Sequence, residues 1–335
     1  MNDKSRIEFF DFAKGIAILS IIIGHLGLDS INRFVFTYHV PVFFIISGCF
    51  ISKKSNVYNF AKNKFKRLMI PYFVTCIVII SLGTLAGYIH GNGLGELYKW
   101  ILASVYGSGI PYSYPFRIYS IGAIWFLPSL FFGSIFLRTS FEFKENVRIV
   151  FILLLFFVGY YSSELFFWFP LSIQAGACCS LYLYVGWRYK EYFITRIDSE
   201  SKLFVFLCAV VLWISFIINY NGFSMVKNNY GRGIIDIISS IASSWIIIVV
   251  SRYLSTYSRC IKKFILFFGK HSLIILCVHI IELNLFPWHR AISLFVGISD
   301  HYIDILLVFL KPLILFGISW ILIKCPLIKK IFFIK

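Results

Sequence analysis

Acidic residues are scarce in this chain: Asp and Glu number 15 in 335 residues, and charged residues of both signs make up only 14%. Soluble domains carry about 25% charge. A water-facing shell around a core of this size is therefore excluded, and the 59% apolar and 20% aromatic content places the chain among polytopic, all-α membrane helical bundles. The acid deficit leaves a formal charge of +17. In a soluble protein that would suggest nucleic acid, so the positions of the basic residues have to be read before any partner is inferred.

Other absences narrow the class further. No small-residue cleavage site follows the first apolar run, and Arg33 leads straight into another one, so the run reads as a span and not as a cleaved leader. The outward loops hold none of the eight cysteines, which removes a disulfide framework. No Cys/His spacing matches a zinc site, so no metal is expected. Internal repeats and low-complexity segments are absent, which leaves a repeat-built transporter unsupported. The expectation is one integral-membrane domain over 1–335 with no appended soluble domain.

Hydropathy predicts about ten transmembrane helices, near 13–29, 34–52, 70–89, 119–137, 149–163, 172–187, 203–220, 233–251, 271–287 and 303–323. With an even number, both termini share a side. That side holds 25 of the 32 Lys and Arg and the other side seven, so the positive-inside rule puts both termini in the cytoplasm. Topology explains the charge, and nucleic acid is not needed as a partner. The partner is the lipid bilayer.

Within this frame, ionisable groups at membrane depth are functional candidates. The stretch from Lys14 to Gly48 carries Lys14, His25 and His39. Lys14 and His25 are eleven residues apart, so on one helix they differ by about 20° around the axis and about 16 Å along it. A cation at a pocket mouth with an imidazole deeper in suits a long, thin phosphate-bearing ligand such as coenzyme A. The plainer reading has Lys14 snorkelling to the interface or pairing with Asp11 at i,i+3, and His25 satisfying an interhelical contact.

Lys64 and Arg67 stand at i,i+3 in a basic segment after the second span, a spacing suited to clamping phosphates or, equally, to facing anionic lipid. The outward segment Gly91–Ser120 mixes Gly, Tyr, Trp and Pro with Arg117. Its aromatic faces suit sugar rings as well as the membrane interface. Trp125 precedes Pro128, which is expected to kink its helix. The outward turns FFWFPLS and NYNGFSMVKNNYGRG face water, and Asp236, just inside the eighth span, is either a ligand contact or, as a helix start favours, a structural carboxylate. The ninth span holds His271, His279 and Glu282, with His279 and Glu282 spaced for a carboxylate to orient an imidazole.

In order along the chain, RIEFFDFAKG…IIIGH, YHVPVFFIISG, KNKFKRLMIPY, IWFLP and GKHSLIILCVH together resemble the membrane acyltransferase-3 family of bacteria. The FAKG opening is similar to its fucose 4-O-acetylase-like glycan O-acetyltransferases. The resemblance covers nearly the whole chain. It implies transfer of an acyl group, usually acetyl from cytoplasmic acetyl-CoA, to a cell-surface polysaccharide such as O-antigen or capsule, or to a polyprenyl-linked saccharide.

The family's histidine falls on His25 and its arginine eleven residues earlier on Lys14. Its arginine pair falls on Lys64 and Arg67. Lysine keeps the charge but loses the bidentate fork. The resemblance thus implies His25 as catalytic base or acyl-carrying relay, and Lys14, Lys64 and Arg67 as coenzyme contacts. Asp11, His39, Trp125, His279 and Glu282 are candidates to line the substrate pocket. A glycan exporter or flippase without acyl transfer is the competing class.

Overall fold

The computed structural model describes residues 7–190, 201–256, 259–296 and 300–332. It is 79% helix; among the described residues there is no strand, only the isolated bridges Tyr112 with Ile118 and Ser224 with Asn229. The helices in chain order are α1 (Glu8–Gly24), α2 (Asp29–Val35), α3 (His39–Cys49), α4 (Val57–Lys64), α5 (Ile70–Ile89), α6 (Gly93–Tyr106), α7 (Phe126–Ser140) and α8 (Glu145–Leu165). They continue as α9 (Ile173–Arg188), α10 (Ser201–Ile218), α11 (Ile234–Leu254), α12 (Arg259–Lys270), α13 (Ser272–Leu285), α14 (Trp288–Val296), α15 (Asp300–Leu322) and α16 (Pro326–Phe332).

Among the described residues, five stretches are long and apolar enough to cross a membrane: Val57–Ile89, Ala123–Ser140, Glu145–Ser162, Ile234–Leu254 and Tyr302–Leu322. They become six if the broken pair Ile261–Lys270 and Ser272–Leu285 counts as one. Hydropathy predicts ten because it counts apolar residues without seeing where the backbone breaks. The run 13–29 yields a helix of 17 residues that ends at Gly24, the run 172–187 one of 16, and the run 34–52 is interrupted at 36–38.

The chain forms two compact units. The first comprises Met1–Ile51, Tyr182–Met225 and Asn229–Ser272; the second comprises Ser52–Leu181, Val226–Asn228 and Leu273–Lys335.

In the first unit, glycines let helix backbones touch, as small residues do between membrane helices. A Cβ on Gly15 of α1 would run into the Ile265 carbonyl of α12, and one on Gly269 into the Asp11 carbonyl. The same reciprocity joins α3 to the end of α9: Gly48 meets the Leu183 carbonyl and Gly186 the Ile45 carbonyl, while the Cys49 thiol donates to Gly186 O at 3.2 Å.

The turn between α2 and α3 is held by hydroxyls and an indole. Ser243 Oγ donates to Thr37 O at 3.0 Å and Trp213 Nε1 to Thr37 Oγ1 at 2.8 Å. Trp213 also stacks on Phe34 with centroids 5.1 Å apart.

In the second unit, α4 continues through a π-helical turn, Phe65–Met69, into α5. The segment expected as an open outward loop contains α6, whose Trp100 ring fills the space beside Gly83 of α5. Tyr72 donates to Ser104 O at 2.6 Å. Pro128 is the third residue of α7. Proline is tolerated near a helix start, where N–H groups have no carbonyl in the same helix to meet.

Candidate active site

Helix α1 builds the first half of the site. Its first turn carries Asp11, buried at 2% exposure, with Lys14 Nζ 3.6 Å from Asp11 Oδ1. This is the local i,i+3 pair that the spacing allows. Lys14 Nζ also stands 5.9 Å from the centroid of the half-exposed Phe50 ring, and Lys190 Nζ stands 6.0 Å from the same ring. Lys190 carries no signal in sequence, because only the tertiary structure brings it to the ring that Lys14 faces.

His25 caps the C-terminus of α1, one residue past the last helical residue. Its Nδ1 lies 2.9 Å from Ile21 O. A carbonyl only accepts, so Nδ1 carries a proton in this contact. His39 repeats the geometry: as the first residue of α3 its Nδ1 donates to Val35 O at 2.8 Å, and the ring packs 5.0 Å from Phe36. Ser20 of α1 shares a 2.8 Å hydrogen bond with Tyr38 OH, which ties the His39 turn to the helix that carries Lys14 and His25.

The remaining sequence candidates belong to the second unit. Lys64 closes α4 and Arg67 lies inside the π-helical turn. Such turns widen the helix and recur at functional sites. Lys64 Nζ sits 5.6 Å from the Phe60 centroid. The approach to this segment is fixed by Arg138, 4% exposed, which donates through Nη2 and Nε to Ser55 O at 2.5 and 2.9 Å and pairs with Glu142 at 2.6 Å.

Trp125, 4% exposed, ends a short 3-10 turn that follows Gly122 at φ 82°. With ψ at −161° this conformation is open essentially to glycine alone. Asn284 of α13 donates to Ile121 O at 3.2 Å just ahead of it.

His279 and Glu282 do meet: Nδ1 of the fully buried imidazole lies 2.8 Å from Glu282 Oε1. Two partners that sequence reasoning missed complete the cluster. Trp288 Nε1 donates to Glu282 Oε2, and Lys311 Nζ, 4% exposed, stands 3.6 Å from Glu282 Oε1. Lys311 was legible as the lone cation within LLVFLKPLILF. Trp288 was not, because its role depends on how the chain turns after α13.

Asp236 is structural, as its position at a helix start suggests. Fully buried, it accepts from Arg232 N and Nε at 2.8 Å each. Among the described residues no group of His, Cys, Asp and Glu is arranged to hold a metal ion.

The structure thus brings Asp11 to Lys14 and His279 to Glu282. Lys14, His25 and His39 belong to one unit, and Lys64, Arg67, Trp125 and the His279 cluster to the other. No curated protein and no solved structure matches the chain. The acyltransferase-3 family, described as an acyltransferase domain, matches it over residues 7–324, a span that takes in every residue of both clusters. A helical membrane protein matched to that family over nearly its whole length is a membrane acyltransferase, and this chain belongs to the acyltransferase-3 family.

Proposed function

We propose that this acyltransferase moves an acetyl group from cytoplasmic acetyl-CoA to a hydroxyl of a cell-surface polysaccharide or polyprenyl-linked saccharide. It would act in a bacterial inner membrane with both termini in the cytoplasm. The observation that carries the reading is the bond from His25 Nδ1 to Ile21 O, which in this reading leaves Nε2 as the basic nitrogen on the helix that also carries Lys14. Acyl transfer to an alcohol needs such a base.

In this reading the acceptor hydroxyl gives its proton to His25 Nε2 as its oxygen attacks the thioester carbonyl. Collapse of the tetrahedral oxyanion breaks the C–S bond, and the imidazolium returns the proton to the leaving thiolate. The products are a sugar ester and free coenzyme A, with no change of oxidation state. Lys14, Lys64 and Arg67 contribute charge to coenzyme phosphates, where ionised hydrogen bonds are the stronger kind. Their opposite number in the chemistry, the acceptor, is a neutral polyol.

The test is thiol release from acetyl-CoA by the purified protein, with and without de-O-acylated polysaccharide from cells lacking the gene. Mass spectrometry of the glycan is run alongside. Acceptor-dependent thiol release with one acetyl gained per thiol supports the reading. Movement of glycan across the membrane without thioester consumption replaces it with export. Reporter fusions to Lys335 and within 107–122 should report opposite sides of the membrane.

A further inference from the structure

Three loops of the second unit meet: 107–122, 166–172 and 226–228. Ser172 Oγ donates to Gly107 O at 2.7 Å, Ser129 Oγ donates to Ser172 O at 3.2 Å, and a Cβ on Gly109 would strike Val226 and Trp125. Tyr112 and Trp168 stack across two of the loops, with centroids 5.0 Å apart and planes 13° from parallel. Asn228 in the third donates to Gly159 O at 3.0 Å. Gln174 fixes the loop around Trp168 and is fully committed there. It accepts from Phe169 N at 2.7 Å and donates to Phe167 O and Ser162 Oγ at 3.0 and 3.1 Å.

Two features of this cluster are not explained by packing. The first is backbone strain. Among the described residues, the non-glycine positions with positive φ are Leu171 (55°), Ser172 (48°) and Asn228 (53°), and all three are here. Such conformations cost on the order of 1–3 kcal/mol each and gather where a ligand is held.

The second is unmet hydrogen bonding. Trp168 is 1% exposed and Asn228 2% exposed, yet Trp168 Nε1, Asn228 Oδ1 and the buried Tyr112 hydroxyl have no hydrogen-bond partner. Leaving such groups unmet costs about 1–3 kcal/mol each. Burial pushes the Tyr112 phenol above its usual range, so it stays protonated and able to donate.

One N–H donor, one carbonyl acceptor and one hydroxyl that does both, set beside stacked aromatic rings, match the hydroxyl pattern of a sugar. They do not match a phosphate, which would need cations. We infer that this loop cluster is the binding site for the carbohydrate acceptor, with Tyr112, Trp168 and Asn228 as its hydrogen-bonding contacts. The inference rests on the acyl-transfer reading for the word acceptor, but not for the existence of a sugar site.

The test uses the full-length purified protein and the de-O-acylated polysaccharide as probe, with equilibrium binding and transfer kinetics both measured. Tyr112→Phe keeps the ring stack and deletes one hydroxyl. It should raise the acceptor KM and Kd about tenfold while the acetyl-CoA KM is unchanged. Trp168→Phe should do the same, and its thermal midpoint reports whether it still folds.

Glycan binding that is weakened by Tyr112→Phe, in a wild-type protein that turns over no thioester, keeps the sugar site and removes the acyl-transfer reading. Wild-type turnover with acceptor KM and Kd unchanged in Tyr112→Phe overturns the site. The unmet groups would then serve bound water only.

Discussion

The two units bury charge in opposite ways. In the first, the buried carboxylates among the described residues, Asp11 and Asp236, are each held by a cation three or four residues away in sequence, Lys14 and Arg232. In the second, the buried charges among the described residues include the cations Arg138, Arg148 and Lys311, and two of these answer to distant chain. Arg138 holds Ser55 O and Lys311 reaches Glu282. A local pair forms as soon as its helix forms. A distant pair exists only once the unit has packed, and the loss of either partner leaves an uncompensated buried charge. The first unit is therefore expected to tolerate change at its ion pairs and fail at its chemistry, and the second to lose stability.

The largest effect that would sharpen this contrast is in the second unit. Glu282→Ala strands Lys311 and His279 and should destabilise by about 3–5 kcal/mol, read as a fall in the unfolding midpoint in detergent. A loss no greater than that of Asp236→Ala, measured the same way, would erase the distinction between the units.

Next comes His25→Ala in the first unit. Transfer should fall by at least about 100-fold, the lower end for a positioned general base, while acetyl-CoA binding and the unfolding midpoint hold. A base acts in the transition state more than in ground-state binding. Near-normal turnover would move the chemistry to His279 with Glu282. His39→Ala and His279→Ala should cost less turnover per folded molecule.

Lys14→Ala should weaken acetyl-CoA binding by about 1.5–3 kcal/mol if Lys14 makes a charge-assisted phosphate contact. Lys14→Arg should restore it. A triple alanine variant at Lys14, Lys64 and Arg67 with unchanged coenzyme affinity would return all three to the role of interfacial cations. The smallest expected effect is Ser243→Ala, which removes one hydrogen bond to Thr37 O. It should cost about 0.5–1.5 kcal/mol of stability and leave acetyl-CoA affinity unchanged.

What was readable in the sequence follows the same division. The pairs Asp11 with Lys14 and His279 with Glu282 were readable because i,i+3 spacing on a helix is a short-range fact. Asp236 was readable as a helix-start carboxylate for the same reason. The break before His39 was missed: YHVPVFFII continues an apolar run, and what interrupts it is Ser243 and Trp213, some two hundred residues downstream. Helix α6 was missed because the glycines and aromatics of Gly91–Ser120 resemble loop composition, whereas Gly83 of the neighbouring helix is what makes room for Trp100.

By itself the sequence determined the solvent and the chemistry on offer. A chain with so few charges must bury its helices in lipid. The ordered motifs point to the family. Tertiary structure alone decided which apolar runs are unbroken helices. It also decided that Lys311 answers Glu282 and that Tyr112 stacks on Trp168. Those outcomes depend on groups tens to hundreds of residues apart coming within hydrogen-bonding or ring-stacking distance, and local propensity carries no record of that.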